Sequence, residues 1–411
     1  MHLKTSAWSD CSNYIARYLF IFFAFCMPIS LAMQNISFVP TLLVALLGGS
    51  WWHSRRLLFR SPFVWCLLLL FLLFVVGLFY TDASYHWRFS VLKKEGEIIA
   101  ILFLLPMIAI DKSFLLQAIK AYVIGCIIVV LIAWLGYFHC LPQVSWFAHP
   151  APYYVFFKIY GALFVAFGAY LTLIMLRLNR YHLTRWLWIF VFILLSYNVL
   201  WQSLSRTGYI VYAGLMFVFV WQTFGLIKEK ITGTIIVAIA LLVIFFLSDN
   251  LHTGINRMLH NVNKAKTSAG IRHEYLSNTL TLWQKRPIVG YGTGGFLLAD
   301  IAIKGAKADG GVTNIDHPQT TPENTYYRML VEHGIVGLLA LLLLWGWQCV
   351  AVFRFTEPVA RHVATAFMLV MIVTSMSADL LLGESPRLFY ILFSALLYAS
   401  LIMRKRGATS D

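Results

Sequence analysis

Long apolar runs alternate with short polar connections along most of this chain. The runs fall at 18–33, 36–52, 63–80, 97–110, 114–138, 156–176, 186–204, 209–224, 231–248, 334–353, 363–382 and 388–403. They are continuously apolar and lack the two-residue alternation of a barrel strand. A bilayer offers no partner for open backbone groups, so apolar runs of about 20 residues cross it as helices. The pattern predicts an all-α polytopic membrane protein with about 12 transmembrane helices. The run at 97–110 is short for a span, and the first run reads as an uncleaved first helix rather than a removed signal.

One long polar stretch, 249–333, interrupts the pattern. It divides the chain into residues 1–248 with nine helices, a loop at 249–333 containing short helices, and residues 334–411 with three helices and a tail. The lipid-buried parts offer little chemistry, so this loop is where an active site is expected.

Composition supports the membrane reading: 60% of residues are hydrophobic and 12% charged, against about 25% charged in soluble domains. The net charge of +15, from 32 Lys plus Arg against 17 Asp plus Glu, would suggest nucleic acid in a soluble chain. Here the basic residues concentrate in the short connections 53–60, 177–185, 228–230, 354–361 and 404–406. With twelve spans these five segments share one side with both termini. The positive-inside rule makes that side cytoplasmic and puts the 249–333 loop in the periplasm of a bacterium. No nucleic-acid partner is expected. The six cysteines lie in or beside apolar runs, without metal spacing, and read as packing residues.

Arginines on the outer side run against this bias. Arg206 lies in Ser205-Arg206-Thr207-Gly208, where a span emerges, and Arg272 opens a segment with Leu276, Leu280 and Trp283 at helical spacing. A guanidinium offers a fork of donors that suits phosphate oxygens; a snorkelling or solvated arginine is the alternative for each. The run from Gly290 to Gly295, including Gly292 and Gly294, allows close ligand approach or a tight turn. It is neither a dinucleotide fingerprint nor a Walker loop. Pro322 then breaks the chain before Glu323, which either begins a helix, where a carboxylate favours the dipole, or serves as a general base. His317 and His333 are rival bases. His149, before the span at 156–176, is either a substrate contact or a structural histidine.

These residues together resemble the O-antigen ligases of Gram-negative bacteria, in a superfamily with O-antigen polymerases and protein O-oligosaccharyltransferases. Ser205-Arg206-Thr207-Gly208 is similar to the family's Ser-Arg motif. Arg272…Trp283…Pro287-Ile288-Val289-Gly290-Tyr291-Gly292 is similar to its loop signature. Pro322-Glu323-Asn324-Thr325-Tyr326, followed by Gly334-Ile335-Val336-Gly337, is similar to its Pro-His-Asn…Gly-x-x-Gly signature, with Glu323 in the place of histidine.

The resemblance implies an inner-membrane glycosyltransferase, inverting and needing no metal or cofactor. Its donor would be O-antigen on undecaprenyl diphosphate, its acceptor lipid A–core, and membrane lipids would surround it. Arg206 and Arg272 would hold the diphosphate and Glu323 would be the base. Asn324, Tyr326, His317, Gly292, Gly294 and His149 are the remaining candidate substrate contacts. A polymerase or protein O-oligosaccharyltransferase is the nearest alternative. A glycolipid transporter would place its charges within the spans instead.

Overall fold

The computed structural model describes residues 7–108, 112–138, 160–179, 181–203, 205–248, 268–308 and 321–403, and every regular element among them is helical. The first half comprises α1 (Ala7–Cys26), α2 (Leu31–Leu47), α3 (Ser50–Leu58), α4 (Pro62–Gly77), α5 (Tyr85–Gly96), α6 (Ala100–Leu104), α7 (Lys112–Tyr137), α8 (Tyr160–Leu178) and α9 (His182–Tyr197). A π-turn, Asn198–Gln202, extends α9 toward α10 (Arg206–Thr223), and α11 (Ile227–Leu247) follows. Beyond it lie α12 (Ser268–Lys285), α13 (Phe296–Ala308), α14 (Thr325–Val352), α15 (Pro358–Ser375) and α16 (Glu384–Ile402).

Seven of the described helices are long and apolar enough to cross a membrane: α7, α8, α9 with its π-turn, α11, α14, α15 and α16. Three shorter apolar helices occupy residues Tyr14–Cys26, Leu31–Leu47 and Pro62–Gly77. The chain is a multi-pass membrane protein. The run at 97–110 departs from expectation: a 3₁₀ turn at Glu97–Ile99 and the five-residue α6 replace a continuous span. Pro106 explains the stop, since it removes a backbone donor and disfavours helix at the residue before it. The run at 363–382 also ends early, at Ser375, because Asp379 accepts the amides of Leu381 and Leu382 at 3.2 Å each and holds a turn instead.

Burial separates the middle of the bundle from its rim. The apolar window of α16 is 89% buried, that of α11 only 6%, so α16 runs through the centre and α11 faces outward. Around α16 the rings of Phe389 and Phe393 lie 4.7 Å apart, with Phe167 of α8 4.9 Å from Phe393. Cys26 and Cys126 are buried free thiols in the packed interior, while Cys66 and Cys349 are partly buried.

Helices α8 and α10 pack side by side in the same direction, which sorts the charged residues. At one end of the bundle Arg177 of α8 donates to the Gln222 carbonyl of α10 at 3.1 Å, beside the start of α15. The other end collects the starts of α8, α10, α14 and α16 and the end of α4. Arg177, Gln222 and His362 therefore lie at the opposite end of the bundle from the Arg206 motif, which starts α10.

At that second end the chain is fastened by a break inside α14. Gly334 adopts φ 62° and ψ −158° between helical neighbours. The segment 287–292 docks into the break: Tyr291 N–H donates to the Val331 carbonyl at 3.0 Å and Gly292 N–H to Glu332 at 2.7 Å. In return, Ile335 N–H donates to the Pro287 carbonyl at 2.9 Å. A Cβ on Gly334 would lie 2.2 Å from the Ile288 carbonyl oxygen. Gly334→Ala should thus destabilise the protein by at least the ~1–3 kcal/mol of a forced backbone conformation, read as a drop in the unfolding temperature in detergent. An unchanged midpoint would show that the break is not fixed by its neighbours.

Candidate functional site

The Ser205-Arg206-Thr207-Gly208 motif is a helix start. Ser205 is the N-cap of α10, its hydroxyl accepting from Gly208 N–H at 3.2 Å, and Gly208 sits against Ala162 of α8 with no room for a side chain. Arg206 is consequently the first residue of the helix, next to the unpaired amides that favour anions. The π-turn before it, a feature frequent at functional positions, sets where the helix restarts.

Arg272 comes from the start of α12, and its guanidinium is close enough to that of Arg206 for the two charges to repel. Neither forms an ion pair with a described residue, and the Arg272 Nε is buried without a hydrogen-bond partner. Holding two cations together without a counter-ion is unfavourable unless an anion joins them.

One turn further along α12, Tyr275 is 3% exposed. Burial raises its phenol well above the usual value, and the carboxylates of Glu323, Asp300 and Glu274 raise it further. Glu323 therefore lies within electrostatic reach of Tyr275. Arg206 with Arg272 and Tyr275 with Glu323 thus form two pairs joined by one turn of α12. The leucine spacing of α12 marks its outward side. Leu276 and Leu280 are 37% and 43% exposed, whereas Tyr275, Asn278, Thr279 and Leu282 are buried. The buried Asn278 donates to Asp300 of α13 at 3.2 Å, so a polar pair, not leucines, fixes the inward side.

Glu323 does not begin the helix. Asn324 is the N-cap of α14, accepting from Tyr327 N–H at 3.1 Å, and Glu323 precedes it at φ 48°. A left-handed conformation is uncommon for a residue with a side chain and costs on the order of 1–3 kcal/mol. The exposed carboxylate opens onto a cleft of roughly 290 Å³ with Trp87, Lys94, Tyr160, Ser377 and Asp379 in its walls. Tyr160 is within electrostatic reach of both Glu323 and Asp379.

The other candidates are placed as follows. Asn324 also donates to the Met376 carbonyl at 2.9 Å, and the Tyr326 hydroxyl to Ile372 at 3.3 Å, so both tie α14 to α15. Gly292, at φ 81°, approaches the Gly77 carbonyl at the end of α4 so closely that a Cβ would sit 2.4 Å away. Gly294 accepts the indole N–H of Trp87 at 3.1 Å, which turns that ring toward the cleft wall. His333 is buried against the Phe74 ring, with both ring nitrogens unpartnered. His149 and His317 lie outside the described residues.

A group that sequence reasoning passed over stands behind this site. Arg328, fully buried, pairs with Glu95 of α5, with Glu332 at 2.9 Å and with Asp379 at 2.5 Å. The spacing of Arg328 and Glu332, one helical turn, was one available signal. An acid at 379 inside an apolar run was another. Glu95, Glu332 and His333 have ligand atoms within 4.8 Å of one another, a set that could hold a metal. The Arg328 guanidinium already meets both of those carboxylates, which makes the set an ion-pair network first.

Against known proteins, residues 190–342 match the family described as O-Antigen ligase. This stretch, somewhat over a third of the chain, runs from within α9 through Arg206, Arg272 and Glu323 into α14, and it supports the O-antigen ligase superfamily, whose members are glycosyltransferase-like enzymes. No curated protein matches the chain. Trp87, Lys94, Tyr160 and Asp379 fall outside the matched stretch.

The buried network gives a pH prediction. Desolvation, opposed by Arg328 and reinforced by Glu332 and Asp379, pushes Glu95 up to about 8. The folded state thus holds this proton more tightly than the unfolded chain, whose glutamates titrate at about 4.3. The resulting stability is full below the unfolded value and is lost as pH rises through about 8. The unfolding temperature should fall between roughly pH 5 and 8, and Glu95→Gln should flatten that slope. A slope unaltered in Glu95→Gln would rule Glu95 out as its source.

Proposed function

We propose that this protein transfers O-antigen polysaccharide from undecaprenyl diphosphate to lipid A–core at the periplasmic face of the inner membrane, with inversion and without a metal. The observation that carries the reading is the pair of guanidinium groups, Arg206 and Arg272, held together without a counter-ion among the described residues. A diphosphate supplies the missing negative charge. Two forked donor sets and the start of α10 fit its oxygens.

In the reaction the acceptor hydroxyl attacks the anomeric carbon of the donor's linking sugar, and the bond from that carbon to the diphosphate oxygen breaks. The electron pair leaves with the diphosphate, whose growing charge the arginines stabilise. Glu323 takes the hydroxyl proton and releases it to solvent after transfer. Its cleft is the approach for the acceptor. The chemistry would be the same for a polymerase; only the acceptor differs.

Arg206→Ala and Arg272→Ala should each lower transfer by about 10²–10³-fold, the usual effect of removing one donor to a developing anion, with unfolding temperatures near wild type. Normal turnover in both would end the diphosphate assignment. Glu323→Gln should cost about 10²–10⁴-fold, the range for a general base. Full turnover in that variant would remove Glu323 as the base. Deleting the gene and running lipopolysaccharide gels separates the acceptors. Loss of the ladder with long lipid-linked polymer accumulating fits ligation, and a core bearing one repeat fits polymerisation instead.

A further inference from the structure

The cleft beyond Glu323 has a composition that proton transfer alone does not require. Trp87 and Lys94 stand two turns apart on α5 and both line it. The indole is fixed from behind by its N–H bond to the Gly294 carbonyl, and the absent side chain at 294 lets the ring lie close to the glycine turn, 3.2 Å from where a Cβ would be. An aromatic face held in this way and partly exposed suits the apolar face of a sugar ring. Opposite it, the Asp379 carboxylate is engaged by Arg328 and by two backbone amides, leaving Ser377 as a neutral polar neighbour. Lys94 is exposed and forms no ion pair with a described residue. The unpaired charges of the cleft are thus one carboxylate, Glu323, and one ammonium, Lys94. At roughly 290 Å³ the space is near the lower bound for ligand pockets, enough for a single ring and its substituent.

We propose that this cleft is a saccharide subsite in which Trp87 stacks on the ring and Lys94 selects a sugar bearing an anionic substituent. The proposal rests on the transferase reading, in which the cleft receives the acceptor. It adds that the sugar next to the reacting hydroxyl is anionic. The ammonium attracts that substituent, Glu323 faces the hydroxyl, and the arginine pair stays with the donor. None of these cleft contacts comes from the family-matched stretch except Glu323.

The test is ligand-observed NMR on the full-length protein in nanodiscs, with glucose 6-phosphate and methyl α-glucoside as probes. Glucose 6-phosphate should bind about tenfold more tightly than the uncharged sugar, the scale of one charge-assisted contact. Lys94→Ala should make the two probes equal, and Lys94→Arg should restore the preference. Trp87→Ala should lose both ligands, while Trp87→Phe, which keeps a ring face, should retain them. Equal binding of both probes by the wild type would overturn the proposal. So would a preference abolished by Arg206→Ala and kept by Lys94→Ala, because the anion would then sit on the arginine pair. The assay needs no donor, so absence of turnover would count against the transfer reading alone.

Discussion

A guanidinium does not lose its proton inside a protein, so the buried Arg328 must be met by negative charge wherever the chain folds. Glu332, one turn along α14, and Asp379, from the turn after α15, do so, and Arg328 also donates to the carboxyl group of Glu95 from α5. Ion pairs of this kind add little net stability over apolar packing, but losing one partner strands the others. Their effect is on register. Once Arg328 is in place, α5, α14 and the turn after α15 can meet in one way. Asp379 is thereby fixed in the cleft wall and α5 presents Trp87 and Lys94 to the same space. Glu332, receiving Phe296 N–H at 3.4 Å, fixes the start of α13 as well.

From that anchor the strain at Glu323 can be understood. The first residues of α14 are bound on both sides: Asn324 to Met376, Thr325 to the Ala378 carbonyl at 3.1 Å and from the Leu380 amide at 2.8 Å. With the helix start immobile, Pro322 before it and the turn after α15 beside it, Glu323 is left to absorb the change of direction. Its left-handed backbone is the result. The same bonds that cap the helix aim the carboxylate into the cleft. Strain at such a position is tolerated only where the surroundings over-determine it, and here two helices and a buried ion network do.

Much of the helical layout was legible because bilayer burial leaves a strong one-dimensional signal, and ten of the apolar runs return as described apolar helices. The failures have local causes. Pro106 breaks the run at 97–110, and Asp379 converts the end of 363–382 into a turn. On α12 the leucine spacing marked the exposed side, while the inward side, with Asn278 paired to Asp300 and Thr279 buried beside it, left no such signal. Arg206 and Arg272 were visible as charges where the charge bias should have excluded them, and Glu323 as a carboxylate after a chain-breaking proline. Trp87, Tyr160 and Tyr275 were not, because their position depends on contacts between segments distant in sequence. The glycine signatures were visible but their use was not: Gly292 and Gly334 allow backbone to meet backbone.

Glu323 stands where the resembling family carries histidine, and the exchange has an electrostatic consequence. In the proposed transfer an anionic base must work near a diphosphate that it repels, whereas a neutral imidazole would not repel it. The surroundings answer this in two ways. The two arginines offset the two charges of the donor diphosphate, which would be held toward α10 and the start of α12. Tyr275, one turn along α12 from Arg272, is within electrostatic reach of Glu323, and burial and the neighbouring carboxylates keep its phenol protonated. A phenol that stays a donor could hydrogen-bond an anion. In the proposed transfer a carboxylate base would therefore be compatible with this site, because the arginines answer the donor's charge.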